Sequence, residues 1–337
     1  MKVAIISVSN KGQELAHDLK DDLDSDSTIL KCDLYHKNVK KYFPILFYEY
    51  DAIIAVMASG ILIRSIAPLV ESKVTDPAVI NIDDNGQFVI STLSGHLGGA
   101  NELANKVAAL IDATPVITTS TDVNNKLGID VLAKDLYLSI DNTKEILHFN
   151  KAILEGREIS ITLNPNKNFE YLFEYLNNVT LEINVSINYS SKVNTDEIHV
   201  SFEGHELILR ERKVVAGIGC RRGKECKYIY NGLKKSLDDL KILPSRVNML
   251  TSAEIKKEEK GILELSEKLD IPVEFVDIDK LKLFESSDVS KSEFVYSKFG
   301  IYGVCEPSAL IMAGFDSELI YKKTSYDGVT IAVAVSK

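Results

Sequence analysis

A histidine and a glutamate, His96 and Glu102, bracket a run of glycines in Leu93-Ser94-Gly95-His96-Leu97-Gly98-Gly99-Ala100-Asn101-Glu102-Leu103-Ala104. Glycines let a ligand approach the backbone closely, and the first turn of a helix presents unpaired N–H groups at a positive dipole end. Two titratable side chains beside such a turn can move protons, the histidine by its ordinary pKa of about 6.5. Two more acids follow strand-like stretches: Asp122, after Pro115 to Thr119, and Glu306, in Gly303-Val304-Cys305-Glu306-Pro307-Ser308-Ala309-Leu310. The glycine pattern is neither G-x-G-x-x-G nor a Walker A loop, so it implies no nucleotide.

The elements that must hold these residues alternate. An apolar run Phe88 to Ser91 precedes the glycine turn, and Leu103, Val107, Leu110 and Ile111 after it have helical spacing. Residues 2–8 read as a strand, Lys11 to Leu23 as an amphipathic helix, and Tyr50 to Val56 as a strand buried on both sides. Ser59-Gly60 then opens a helix carrying Arg64. Asp84-Asn85-Gly86 signals a hairpin before Phe88. From 139 to 212 the pattern changes to short helices and β-rich stretches between asparagine-rich turns, with no chemical constellation. A fresh start comes at Lys213-Val214-Val215-Ala216-Gly217-Ile218-Gly219-Cys220-Arg221-Arg222-Gly223, again a strand, glycines and a helix.

The expected fold is α/β in three parts. Doubly wound, mostly parallel sheets form the N-terminal (1–138) and C-terminal (213–337) domains around a small α/β middle domain (139–212). Such sheets bind ligands beyond the carboxyl ends of their strands. Ser59, Gly60, Ser94, Gly95, Gly98, Gly99, Asn101 and Thr119 each follow a strand, so they are expected to share one substrate-binding rim.

The net charge of −10 argues against nucleic-acid and anionic-membrane partners, and no apolar run approaches the length of a spanning helix. With no signal segment, a cytoplasmic protein is expected. Cys32, Cys220, Cys226 and Cys305 are too few and too scattered for a disulfide framework or a structural zinc, and no resident metal is expected.

Five clusters resemble the cobalamin-biosynthesis CbiG family, the cobalt-precorrin-5A hydrolases. They are Met57 to Ile61 with Arg64, Ala67-Pro68-Leu69 and Thr75 to Val79; Leu93 to Ala104; Ile117 to Asn124; Gly217 to Gly223; and Gly303 to Leu310. Ser120 and Ser308 stand where alanine is more usual in the family. The resemblance implies hydrolytic opening of the δ-lactone of a cobalt-corrinoid, with loss of acetaldehyde, in the anaerobic cobalamin route. It implies no protein-bound cofactor, since cobalt arrives within the substrate. A homodimer and transient handover to neighbouring pathway enzymes are further expectations. A non-catalytic corrinoid carrier is the competing reading.

Lactone opening needs an activated water, a stabilised oxyanion and a proton for the leaving alkoxide. His96 is the natural base, Glu102 its orienter or a base itself, and Asp122 and Glu306 the other candidates. Each has a plainer role available: His96 satisfying its turn, Asp122 capping a helix, Glu102 and Glu306 complementing helix dipoles. N–H groups around Gly98-Gly99 suit the oxyanion. Arg64, Arg221 and Arg222 would clamp substrate carboxylates beside Cys220 and Cys305, unless the cysteines are simply small buried residues.

Overall fold

A computed structural model describes all residues except Val74 and Ser287, and the side chain of Phe294. Three sheets follow one another along the chain. The first comprises β1 (Lys2–Ser7), β2 (Lys31–His36), β3 (Ala52–Val56), β4 (Ala78–Ile82), β5 (Phe88–Leu93) and β6 (Thr114–Val116), in the order β2-β1-β3-β4-β5-β6. The second comprises β7 (Leu138–Ile140), β8 (Ile159–Leu163), β9 (Val185–Tyr189), β10 (Glu197–Phe202) and β11 (His205–Glu211), ordered β7-β11-β10-β8-β9. The third comprises β12 (Val214–Cys220), β13 (Met249–Ala253), β14 (Val273–Val276), β15 (Glu318–Tyr326) and β16 (Val329–Val335), ordered β14-β13-β12-β16-β15.

By compactness the chain forms two units. One holds Met1–Lys134, Ser139–Lys167 and Val179–Arg210, and the other Asp135–Leu138, Asn168–Asn178 and Glu211–Lys337. Among the described residues, no helix is long and apolar enough to cross a membrane.

The first sheet is doubly wound because alternate side chains of a strand face opposite ways. Val3, Ile5, Ile54, Val56, Ile80 and Ile82 pack under the helices Asn10–Ser25 and Ala100–Leu110. Ala4, Ile6, Ile53, Ala55 and Val79 pack under Val39–Glu49 and Ser59–Ile66. The helix at 39–49, interrupted in sequence by Pro44, went unread from the pattern.

Strand direction corrects the shared rim expected above. β2, β1, β3 and β4 run parallel, but β4 and β5 are antiparallel and β6 is parallel to β5. Val79 pairs with Leu93, so the turn after β5 lies beside the start of β4. Ser59 and Gly60, after the end of β3, stand at the opposite edge, about 16 Å away for a five-residue strand. The sheet thus has two rims, with Ser94 to Asn101 and Thr119 on one and Ser59, Gly60 and Arg64 on the other.

In the second unit the guanidinium of Arg246, 2% exposed, acts as a staple. Its Nε donates to Leu136 O (2.6 Å), Nη1 to Asn248 Oδ1 (2.7 Å), and Nη2 to Tyr137 O (2.9 Å) and Arg212 O (2.5 Å). Arg246→Met should leave one buried and two part-buried carbonyls without this donor and lower stability by about 3 kcal/mol. Urea unfolding checks this, and a loss under about 1 kcal/mol would mean that water replaces the guanidinium.

Candidate active site

The glycine turn closes on itself. Ser94 (φ 56°) and Gly99 (φ 85°) take left-handed backbone. A Cβ on Gly98 would lie 2.4 Å from Ser94 Cβ and 2.9 Å from the Ser94 carbonyl oxygen, which is why glycine stands there. The N–H groups of Gly99, Ala100 and Asn101 donate to the carbonyls of His96 (2.9 Å), Ser94 (3.1 Å) and Gly95 (3.0 Å). This helix start therefore offers an oxyanion fewer free donors than its sequence suggests.

What the turn positions is the imidazole of His96. Its Nδ1 lies 3.1 Å from Asp130 Oδ2, and its Nε2 lies 2.7 Å from Asp122 Oδ2 and 3.0 Å from Thr121 Oγ1. Both acids are themselves held. Asn101 Nδ2 donates to Asp122 Oδ2 (3.1 Å) and Thr119 Oγ1 (2.9 Å), while its Oδ1 accepts from Ser91 Oγ (2.6 Å). Asn150 Nδ2 donates to Asp130 Oδ1 (2.9 Å), and Asn150 Oδ1 accepts from the Ile129 N–H (2.8 Å). The side chains form a gradient outward: Asp130 is 5% exposed, His96 10% and Asp122 32%.

Burial opposes charge on His96. Hydrogen bonding to Asp130 and that residue's charge, then the same from Asp122, outweigh burial, so the pKa rises above its ordinary value. Burial likewise pushes Asp130 up, but the hydrogen bond and charge of His96, with Asn150, bring it below the usual carboxylate range. Each ring nitrogen faces a carboxylate oxygen, so the arrangement favours the form of His96 that can donate from both. Asp122 meets its partners through Oδ2, and among the described residues Oδ1 has no hydrogen bond.

Glu102 is not part of this array. Successive helical residues are about 100° apart, so Asn101 faces inward and Glu102 outward, paired with Lys134 Nζ at 2.9 Å. Sequence reasoning missed Thr121, Asp130, Lys134 and Asn150. Lys134 also closes on the turn, its Nζ 3.1 Å from where a Cβ on Gly99 would sit. Asp130, two residues after Gly128 and in a first helical turn, carried a weak signal; Asn150 carried none.

At the other rim, Ser59 Oγ donates to Asn81 Oδ1 (2.5 Å), and the exposed Arg64 guanidinium folds over Gly60. No ion pair holds Arg64 among the described residues.

The second unit places its expected residues differently. Cys305 is buried, and a Cβ on Gly217 would come within 1.9 Å of its carbonyl oxygen. The glycine is there so that the helix Cys305–Ala313 can lie against β12. Burial pushes the Cys305 thiol up to about 12, and Cys220 upward too, so neither is a poised nucleophile. Glu306 is buried as an internal clip. It accepts from Ser290 N (2.8 Å), Ser290 Oγ (3.1 Å) and Lys323 N (2.9 Å), contacts that tie three segments of the second unit together. Arg221 lies along Gly328. Arg222 lines a cleft of about 990 Å³ with Lys224, Lys227, Lys256, Lys260 and Phe299.

Two family models match, "Cobalamin synthesis G N-terminal" over residues 41–122 and "Cobalamin synthesis G C-terminus" over 214–334. A Priestia megaterium relative named cobalt-precorrin-5A hydrolase is 30% identical, covering 98% of this chain and 94% of its own. A Salmonella typhimurium relative of the same name is 32% identical over 86% of this chain and 83% of its own. The chain belongs to the cobalamin-synthesis G family. A solved homologue of cobalamin biosynthesis protein G from Sulfolobus solfataricus matches the whole chain and 97% of its own, with TM-score 0.63 and 25% identity. The mixed α/β architecture is thus that of the family. The matched N-terminal segment contains His96, Asn101 and Asp122 but ends before Asp130 and Asn150.

If the turn exists to hold His96, Gly98→Ala should force it open. We expect stability to fall by about 1–3 kcal/mol and the His96 pKa, followed by NMR titration, to drop towards its ordinary value. An unchanged titration would separate the turn from the array.

Proposed function

We propose that this chain is a cobalt-precorrin-5A hydrolase of anaerobic cobalamin biosynthesis, with Asp122 and His96 as its acid–base pair. The observation that carries the activity is near full-length similarity to relatives bearing that name. The roles rest on the array. With a carboxylate oxygen against each ring nitrogen, His96 is better placed to donate a proton than to accept one, which moves the base to the more exposed Asp122.

Water on the free Oδ1 of Asp122 loses a proton to it as the oxygen adds to the lactone carbonyl carbon. The acyl–oxygen bond of the ring then breaks, and the leaving alkoxide takes the Nε2 proton of His96. For acetaldehyde to depart, the freed hydroxyl returns its proton to His96 Nε2 and its C–O becomes C=O. The carbon–carbon bond to the macrocycle breaks, leaving its electron pair on the corrinoid, which takes up the proton held by Asp122, so both groups return to their starting state. Asp130 is a positioning residue that raises the pKa of the imidazole and aims it. Lys134 is the cation beside this site for a substrate carboxylate, the part expected of Arg64. Cobalt belongs to the substrate. A carrier has no need of an imidazolium aimed at a half-exposed carboxylate, and the non-catalytic reading gains nothing from the array.

Purified chain incubated with cobalt-precorrin-5A should release acetaldehyde, measured with NADH and alcohol dehydrogenase; none above a blank overturns the assignment. Asp122→Asn and His96→Ala should each lower kcat by about 10²–10⁴-fold with KM little changed. Equal losses in kcat and in binding would make the array structural.

The active form pairs ionised Asp122 with protonated His96, so kcat should fall as pH rises through the raised His96 pKa. Asp130→Asn removes the stronger of the two carboxylate influences, so this alkaline limb should move to lower pH. A limb that stays in place would exclude His96 as its source.

A further inference from the structure

The middle of the first unit holds a second cluster of ligating side chains, far along the chain from the array around His96. Glu145 ends a short 3-10 turn (Thr143–Glu145), and His148 lies in the following helix, Ile146–Leu154. His205 opens β11, directly after a tight hairpin turn in which Glu203 (φ 46°) and Gly204 (φ 86°) reverse the chain and Phe202 pairs with His205. Glu145, His148 and His205 each offer one ligand atom, all within 4.8 Å of one another. The two imidazoles stack at 4.1 Å with their planes 16° apart, and His205 Nδ1 lies 2.8 Å from Glu145 Oε2. His148 is exposed and has no hydrogen bond among the described residues, so its ring nitrogens are available.

We propose that these three residues bind a divalent transition-metal ion of the zinc class. The donor set decides the class: two imidazoles and one carboxylate suit zinc and its neighbours, whereas magnesium and calcium favour all-oxygen sites. The set spans two distant segments, and it is not an exposed group of acids, which would hold no ion by itself. Two neutral imidazoles and one carboxylate carry a single negative charge, which a divalent cation more than neutralises. Zinc bonds of about 2.0–2.2 Å place tetrahedral donors about 3.3–3.6 Å apart. The Glu145–His205 pair, at 2.8 Å, must therefore open by at least about half an ångström, and the other donors must close in. The stacked rings must also turn out of parallel, because a ring nitrogen binds metal in its own plane, and His148, exposed at the surface, can supply that turn. Bound metal would tie the hairpin tip to the helix start, cross-linking the middle sheet to its covering helix. This site is independent of the hydrolase reading and uses none of its residues.

The full chain, stripped with a chelator and titrated with zinc chloride against a chromophoric competitor, should bind one equivalent. His148→Ala and Glu145→Gln should each weaken that binding at least about tenfold, with far-UV circular dichroism unchanged. Co2+ added to the stripped parent chain should give the strong visible bands of a four-coordinate site. Binding of less than about a tenth of an equivalent, or equal affinity in both variants, overturns the proposal. So does a cobalt spectrum like that of the hydrated ion, a readout that holds even if a variant misfolds.

Discussion

The reversal between β4 and β5 is the constraint on which the candidate site depends. Asp83 enforces it, its carboxylate accepting from the N–H groups of Asn85 (2.9 Å), Gln87 (2.9 Å) and Phe88 (2.7 Å), while Gly86 supplies the left-handed step. Burial raises the Asp83 pKa, but these donors outweigh it and hold the group below the usual carboxylate range. Because β5 runs back, its end arrives where β4 begins, and β6, parallel to β5, delivers Thr119 to Asp122 to the same edge. Without that reversal the loops after β5 and β6 would both lie on the rim occupied by Ser59 and Arg64.

Much of this was legible locally and little of it globally. Strand, glycine turn and helix around His96 followed from periodicity and from glycine, and so did the hairpin at Asp84-Asn85-Gly86. Its consequence did not: a hairpin makes the next strand antiparallel, which moves the following loop to the other edge. Glu102 looked like the partner of His96 because both lie in one motif, but helical geometry turns it outward and gives that place to Asn101. Asp130 and Asn150 lie on later helices, and no local rule connects either to His96. Glu145 and His148 had the spacing of two ligands on one helical face, yet the third, His205, comes from a hairpin 57 residues beyond His148.

The two glycine-rich stretches look alike in sequence and differ in physical purpose. In the first unit the glycines let a turn close and aim a side chain. In the second, Gly217 removes a Cβ so that a helix can rest against a strand, and the following loop is fixed by Glu259, whose Oε1 accepts from the Gly223 N–H at 2.5 Å. Glu259 also pairs with Lys256 (3.0 Å), so one nearly buried acid holds two walls of the cleft that Arg222 lines. A glycine pattern by itself therefore does not distinguish a ligand site from close packing.

The staple at Arg246 bears on where the chain tolerates changes in length. It grips the backbone at Leu136 and Tyr137 and again at Arg212, and the Arg212 N–H meets the Tyr137 carbonyl at 3.1 Å. The intervening polypeptide therefore departs and returns through adjacent gateposts. Lengthening or shortening such a detour alters closure entropy only logarithmically and leaves its doorway intact. Changes in length are therefore best placed in the turns between its strands, away from Asn150 and from the doorway itself.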